Sequence, residues 1–516
     1  MKTTQKSVCA FLGAAIIVLL TIAVVACGGK STNGKLATSV TSGALPSNSW
    51  VVPVDVTASN GQSASQNDWS NFAWQTFVAL NWPAVVPATT SGISGLPNTR
   101  LSIGASSSNQ AMIPAVWQTF RSEANTMLAG ASNPGAWATN PLPLPSSCQA
   151  LTSAYPVSPG FQPMLLNMVS KFGVVKPSNS DEASGPPLIE QSGWYVTYDI
   201  RVDQSEYTFI QQNGYYNAAT QQSVETSNGQ LLGFPQTGKE STFNPPLPTL
   251  AQFGALEVKA AWRVLDPSHD KAIIPRYYTQ SGYFLQQDGT TCQGPALFGL
   301  IGLHILRLTP TTPATWFWAT FEQVDNVTAP AAGASATLAA ANTPNGACTS
   351  QYNSAPPVHS GNIPWTGTST PVNVCQVTNI ASTVQQINTT WQGNLAGTVW
   401  ANYQLIDTVN PSVQGGPAYS IPISTTTVNT NILANTTMET YLQGVGAGKG
   451  QSCMDCHSFA TPQCGPKGCS ATNPSNNQIF TFLLANADTP PSVTAVKRQK
   501  LPQNVISIIQ SMRSRK

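Results

Sequence analysis

The chain has 516 residues, of which 9% are charged and 41% apolar, with 13 Trp. Soluble domains carry about 25% charged residues, so this chain is charge-poor, and the apolar share excludes a disordered chain and supplies a large core. Lys and Arg number 23 against 21 Asp and Glu, which leaves no basic field suited to nucleic acid.

In chain order, Lys2 and Lys6 precede an uncharged apolar run from Val8 to Ala26 that ends in Val24-Val25-Ala26-Cys27, then Gly28-Gly29. Small residues before a Cys resemble the signal of bacterial lipoproteins. That resemblance implies removal of residues 1–26, lipidation of Cys27 and, from Gly28, an outer-membrane address in the cell envelope. The rivals are an ordinary signal peptide and an uncleaved anchor, since the run is long enough to span a bilayer. Acyl chains on one Cys would hold the protein durably to a membrane. Residues 27–66, rich in Ser, Thr, Gly and Asn, read as a flexible tether with one extended piece at Trp50-Val51-Val52.

Residues 67–430 read as an α+β body, a β-rich antiparallel assembly with packed helices. Trp69, Phe72, Ala73, Phe77 and Leu80 recur at helical spacing until Pro83. A second helix is predicted from Pro114, carrying Trp117, Phe120 and Ala124. Asp203 and Glu206 have the spacing of a capping box ahead of Tyr207 and Ile210, with Gly214 as the stop. Strands are predicted at Trp194–Ile200, Ala255–Leu265, Leu297–Leu308, Trp316–Val324 and Thr398–Thr408, separated by turn-rich stretches without βαβ alternation. Ala329–Pro357, rich in Ala, Thr, Asn and Pro, reads as a long surface loop.

Residues 431–516 read as a small, mainly helical region around the most specific motif in the chain. Asn435, Thr436 and Glu439 look like a helix start, with Met438, Tyr441 and Leu442 as its apolar face, and Ile479–Ala485 is an apolar stretch suited to covering a haem edge. Between them lies Cys453-Met454-Asp455-Cys456-His457. C-x-x-C-H is the attachment signal of c-type haem: two thiols on one turn reach both vinyl groups of one porphyrin, and the adjacent imidazole is the proximal iron ligand. The predicted cofactor is therefore one covalent haem c, on Cys453, Cys456 and His457. The rival is a zinc-thiolate site of Cys453, Cys456, Cys464 and Cys469 in a non-redox envelope lipoprotein, with an x4 gap wider than the usual x2.

The cysteine count fits export. With Cys9 lost, Cys27 lipidated and Cys453 and Cys456 on haem, six remain: Cys148, Cys292, Cys348, Cys375, Cys464 and Cys469. An even remainder in an oxidising compartment predicts up to three disulfides. Cys464–Cys469 and Cys348–Cys375 are the cheapest local pairs.

The second axial ligand decides between carrier and catalyst. His304, in the apolar stretch Gly302-Leu303-His304-Ile305-Leu306, and Met438 rank as equal candidates for the distal iron position, with Met512 behind them. His269 looks like a turn residue and His359 a loop residue. A six-coordinate iron makes an electron carrier that meets redox partner proteins. An open iron makes a haem enzyme acting on a peroxide or small molecule. Glu257, Lys259, Arg263, Glu322 and Asp325 are charges on predicted strands, read as an exposed sheet face or structural ion pairs rather than a substrate site. The last twenty residues hold Lys497, Arg498, Lys500, Arg513, Arg515 and Lys516 and no acid, a basic tail.

The segments Asn71–Pro83, Thr320–Asn326 and Ala434–Thr440 resemble those of large bacterial mono-haem proteins of the cytochrome c family. The resemblance covers most of the exported chain and implies c-type haem binding and electron transfer without a defined substrate. In that family an imidazole is common where this chain has Gln323, which implies that the position is not an obligatory iron ligand.

Overall fold

A computed structural model describes most of residues 45–490, and the longest stretches outside the described residues are 168–185, 235–253, 410–432 and 444–480. The fold is α+β. The first helix, α1 (Gln66–Leu80), opens on a capping box. The Ser65 hydroxyl accepts from the Asp68 N–H, and the Asp68 carboxylate accepts from the Ser65 N–H at 2.8 Å. Those bonds satisfy donors that a helix start leaves orphaned and hold the Asp68 carboxyl below the usual range. The helix buries Trp69, Phe72, Ala73, Trp74, Phe77 and Leu80, as their spacing predicts. Pro114 does not open a long helix: Val116–Thr119 is one 3-10 turn, Arg121–Ser122 is strand β1, and Glu123–Thr126 is the short α2. The cause is tertiary. β1 pairs with β3 (Thr197–Val202), and Arg121 Nη2 donates to the carbonyls of Ala136, Trp137 and Thr139.

The remaining elements are α3 (Ser146–Gln149), β2 (Met164–Leu166), α4 (Gln204–Gln212), α5 (Ala218–Asn228), β4 (Leu256–Leu265), β5 (Thr279–Leu285), β6 (Cys292–Arg307), β7 (Phe317–Gln323), α6 (Ser382–Asn394) and β8 (Tyr403–Val409). Among the described residues, the eight strands form one sheet in the order β1-β3-β4-β6-β5-β2, with β7 and β8 continuing from β6. β6 is long enough to serve two neighbours on one side: its N-terminal half pairs with β5 and its C-terminal half with β7. All pairings are antiparallel except β2 with β5.

One sheet face is covered by α1. Trp69 stacks on Phe317 at 5.3 Å between centroids and Phe77 on Phe321 at 4.3 Å. Trp74 stacks on Trp391 of α6 and donates its Nε1–H to Asn388 at 2.9 Å. Such pairs add about 0.5–1.5 kcal/mol each beyond their burial. The alternation seen in Trp316–Val324 divides between two apolar clusters: Phe317, Ala319 and Phe321 pack with α1, while Trp316 and Trp318 join a second cluster with Tyr207, Ile210, Leu306, Leu483 and Leu484. The sheet is thus covered on both faces, which is why β7 is buried throughout.

Three local expectations are corrected. The body begins before Asp68, because Leu45, Trp50, Val52, Val54 and Val56 pack against the core. The stretch Ala329–Pro357 is not all surface: Ala336, Thr337, Leu338 and Ala339 are buried, and Leu338 receives the Val374 N–H while donating to Asn326. Asn435–Glu439 is a turn rather than a helix start, followed by a 3-10 turn at Thr440–Leu442. Disulfides join Cys148 to Cys292 and Cys348 to Cys375. The second is the local pair expected from spacing, and Cys464 and Cys469 lie outside the described residues.

Candidate functional site

Cys27, Cys453, Cys456, His457, His359 and Met512 lie outside the described residues. What is described is the ground on which the two flanks of 444–480 are fixed. Both flanks, 433–443 and 481–488, lie against the sheet face opposite α1.

Register defines that face. Gly302, His304 and Leu306 of β6 sit beside Ala261, Lys259 and Glu257 of β4 and beside Glu322, Thr320 and Trp318 of β7. Tyr198, Ile200 and Val202 of β3 extend the same rows. The face therefore has three rows: Tyr198-Ala261-Gly302-Glu322, then Ile200-Lys259-His304-Thr320, then Val202-Glu257-Leu306-Trp318.

The first flank covers the first row. Glu322 accepts the Thr436 N–H at 2.6 Å and the Thr436 hydroxyl, and Asn326 donates to it at 3.3 Å. Asn435 folds this stretch into its turn by accepting from the Thr437 N–H and hydroxyl, while its amide donates to Thr320 and to the Phe321 carbonyl. Tyr198 donates to the Thr437 carbonyl at 2.7 Å. Gly302 makes this approach possible: a Cβ there would fall well inside contact distance of Thr437 Oγ1 and 3.3 Å from Asn435 Oδ1. Farther along, Tyr441 donates to the Pro187 carbonyl and Gln443 accepts the Val377 N–H.

The second flank covers the third row. Thr481 donates to Glu257 at 2.5 Å, and Leu483 and Leu484 are buried in the second apolar cluster. Gln221 of α5 donates to the Leu484 carbonyl, and Asp488 accepts the Gly130 N–H and, through its carbonyl, the Ala218 N–H.

Between the flanks, in the middle row, stand Lys259 and His304. His304 is buried, and its Nε2 lies 3.4 Å from a Glu439 carboxylate oxygen, an ion-pair distance without hydrogen-bond alignment. Met438 is buried in the main apolar cluster. His269 is the exposed turn residue expected, with its Nδ1 3.0 Å from Asp266.

Electrostatically the site is a set of buried carboxyls. Burial pushes Glu322 up to about 7, against the pull of the Thr436 bonds. Burial, with the negative charge of Glu257 beside it, holds Glu206 well above the usual carboxylate range, and burial raises Glu257 itself. Burial raises Asp203, the α4 cap, to about 7. Arg263 and Asp325 are structural, as expected: Arg263 lies 3.1 Å from Glu190, and Asp325 makes a two-pronged pair with Arg276. Glu257 and Glu322 do not lie on an exposed face, because the flanking segments cover them. A strand carboxylate in a charge-poor chain was the signal for these positions; nothing local marks Thr436 or Thr481 as their partners.

Among the described residues, no group of three or more His, Cys, Asp or Glu side chains is arranged to hold a metal ion, and no helix is long and apolar enough to cross a membrane. No family model, curated protein or solved structure matches the chain.

Proposed function

We propose that this chain is a lipid-anchored mono-haem c-type cytochrome that passes electrons between redox partner proteins in the bacterial cell envelope. The observation that carries the reading is Cys453-Met454-Asp455-Cys456-His457. The donor set fits the group: two thiols for the vinyl carbons and one imidazole for iron. Two disulfides in the body agree with an oxidising compartment, where such haem attachment takes place. The lipoprotein-like end at Cys27 supports the same location.

Haem bound there would supply a one-electron couple. This chain's own part is to hold the thiols and the His457 imidazole at the porphyrin. His304 and Met438 are the candidates for the distal position. His304 is favoured because its buried Nε2 lacks a hydrogen bond, whereas Met438 is packed among apolar side chains. The carrier reading is tested on protein expressed with haem-maturation machinery. Covalent haem that survives denaturation, a low-spin reduced spectrum and no response to carbon monoxide are expected. Loss of covalent haem is expected in Cys453→Ser with Cys456→Ser. Wild-type protein without haem would overturn the proposal, and a carbon monoxide adduct would turn it to the open-iron enzyme.

A further inference from the structure

We infer that Glu206 and Glu257 form a shared proton site that clasps the 481–488 segment to the sheet, closed when the pair holds a proton and loosened when both are anionic. The inference does not depend on the haem reading.

The geometry begins with Glu206. Its side chain, on the first turn of α4, is fully buried, and neither carboxylate oxygen has a hydrogen-bond partner. An ionised carboxylate taken from water without a partner costs several kcal/mol, roughly the price that neutralisation removes. Glu257, on β4, is a second buried carboxyl, and it is the acceptor for Thr481. The Thr481 oxygen in turn accepts the Leu483 N–H at 3.1 Å, so the same hydroxyl starts the turn at Leu483–Asn486. One proton on the pair leaves a single charge with Thr481 as its donor. Asp203 Oδ1 accepts the N–H groups of both Glu206 and Leu256, which brings the first turn of α4 to the start of β4, where charges on Glu206 and Glu257 repel.

Among the other charged groups of the described residues, Lys259 alone favours a charge on the pair, and burial still outweighs it at Glu257. Asp203 at the β3–α4 junction is a third acid, and its Oδ1 is occupied by the N–H groups of Glu206 and Leu256. Arg307 of β6 acts on Asp203, while its guanidinium donates to Thr76 and the Val54 carbonyl. Lys259 of β4 acts on Glu257 and lies 5.9 Å from the Tyr198 ring centre. Arg121 of β1 sits over the Tyr207 ring and donates to three carbonyls. From α5 comes the neutral Gln221, and from the clasped segment Asp488, bonded to Gly130. Both Glu206 and Glu257 have raised pKa values, so the stabilisation is complete in acid and is lost as pH rises through the folded-state values.

The test is amide hydrogen exchange of 481–488 in the full chain from about pH 5 to about pH 9, corrected for intrinsic rates. Protection should fall at least about tenfold with rising pH. Glu206→Gln should abolish the slope and keep protection high. If that variant does not fold, Glu257→Gln serves, since it too leaves one ionisable group. A wild-type slope unchanged in the folded variant would overturn the proposal, and so would protection that does not vary with pH. Restoration of protection at high pH by millimolar calcium or manganese, and not by acid, would overturn it in favour of a metal site.

Discussion

The contact between Glu322 and Thr436 fixes the segment that precedes residues 444–480, and its strength can be worked out from the bonds. Glu322 receives the Thr436 N–H and hydroxyl, both in a fully enclosed place. Hydrogen bonds to a charged acceptor contribute about 1.5–3 kcal/mol, and a buried donor left orphaned costs about 1–3 kcal/mol. Glu322→Ala removes both bonds and strands the Thr436 N–H, so the expected loss is about 3–5 kcal/mol. Thr436→Ala keeps the N–H bond and deletes the hydroxyl, for about 1.5–2 kcal/mol. The double variant should fall short of the sum by about 1–2 kcal/mol, because the hydroxyl bond is already absent once Glu322 is gone. Amide exchange across Asn435–Thr440 is the assay, since it reports local opening without requiring the whole chain to unfold in two states. Additive single effects, with coupling below about 0.5 kcal/mol, would refute the claim that these two side chains hold the segment.

Glu322→Gln should also flatten part of the pH dependence of stability. The folded carboxyl at about 7 lies above its ordinary 4.5, so wild type loses about 3 kcal/mol as pH rises through that window, and the variant does not. Gly302→Ala should destabilise by about 1–3 kcal/mol through overpacking against Thr437, read as a lower thermal midpoint; Thr437→Ala in the same chain should recover most of it. Removing Cys148–Cys292, with a separation of 144 residues, should cost about 5 kcal/mol on chain-entropy grounds, and Cys348–Cys375, with 27, about 3.5 kcal/mol. Serine pairs at each bridge, compared by chemical denaturation, check that order.

Among the described strands, β3, β4, β6, β7 and β8 were legible, and β1, β2 and β5 were not. Leu297–Leu308 is a mostly apolar run because β6 is central and covered on both faces, and only its start at Cys292 is hidden, under the turn-like Gln293-Gly294-Pro295. The Asp203 cap was legible for the same local reason as Ser65: a short oxygen-bearing side chain ahead of an apolar face. Misreadings fell where side chains work across the fold. Asn435 and Thr436 have the composition of a helix start, but their polar groups bond to Thr320, Phe321 and Glu322, more than a hundred residues earlier in sequence. Arg121 falls inside the stretch predicted as helix from Pro114 and instead binds three carbonyls of a later loop. No local periodicity encodes such partners. At the site, the proposal of haem on Cys453, Cys456 and His457 rests on spacing alone, while the ground beneath the flanks needed the register of four strands.

Buried carboxyls are a costly way to fasten two chain segments, and apolar side chains of the same size are often as good for stability. What a carboxylate adds is direction. Leu306 or Trp318 tolerates a neighbour that slides, whereas Glu322 is satisfied only when the Thr436 N–H and hydroxyl arrive together. Gly302 leaves the space that Thr437 and Asn435 occupy, since a Cβ on it would run into Thr437. Glu257 sets the other end through a single hydroxyl, that of Thr481. The two anchors differ in what they can bear. Glu322 holds its segment through two bonds to Thr436, while Glu257 holds the other through one bond to Thr481. With two bonds on one carboxylate against one, the segment after residues 444–480 is the one expected to open first at its carboxylate anchor.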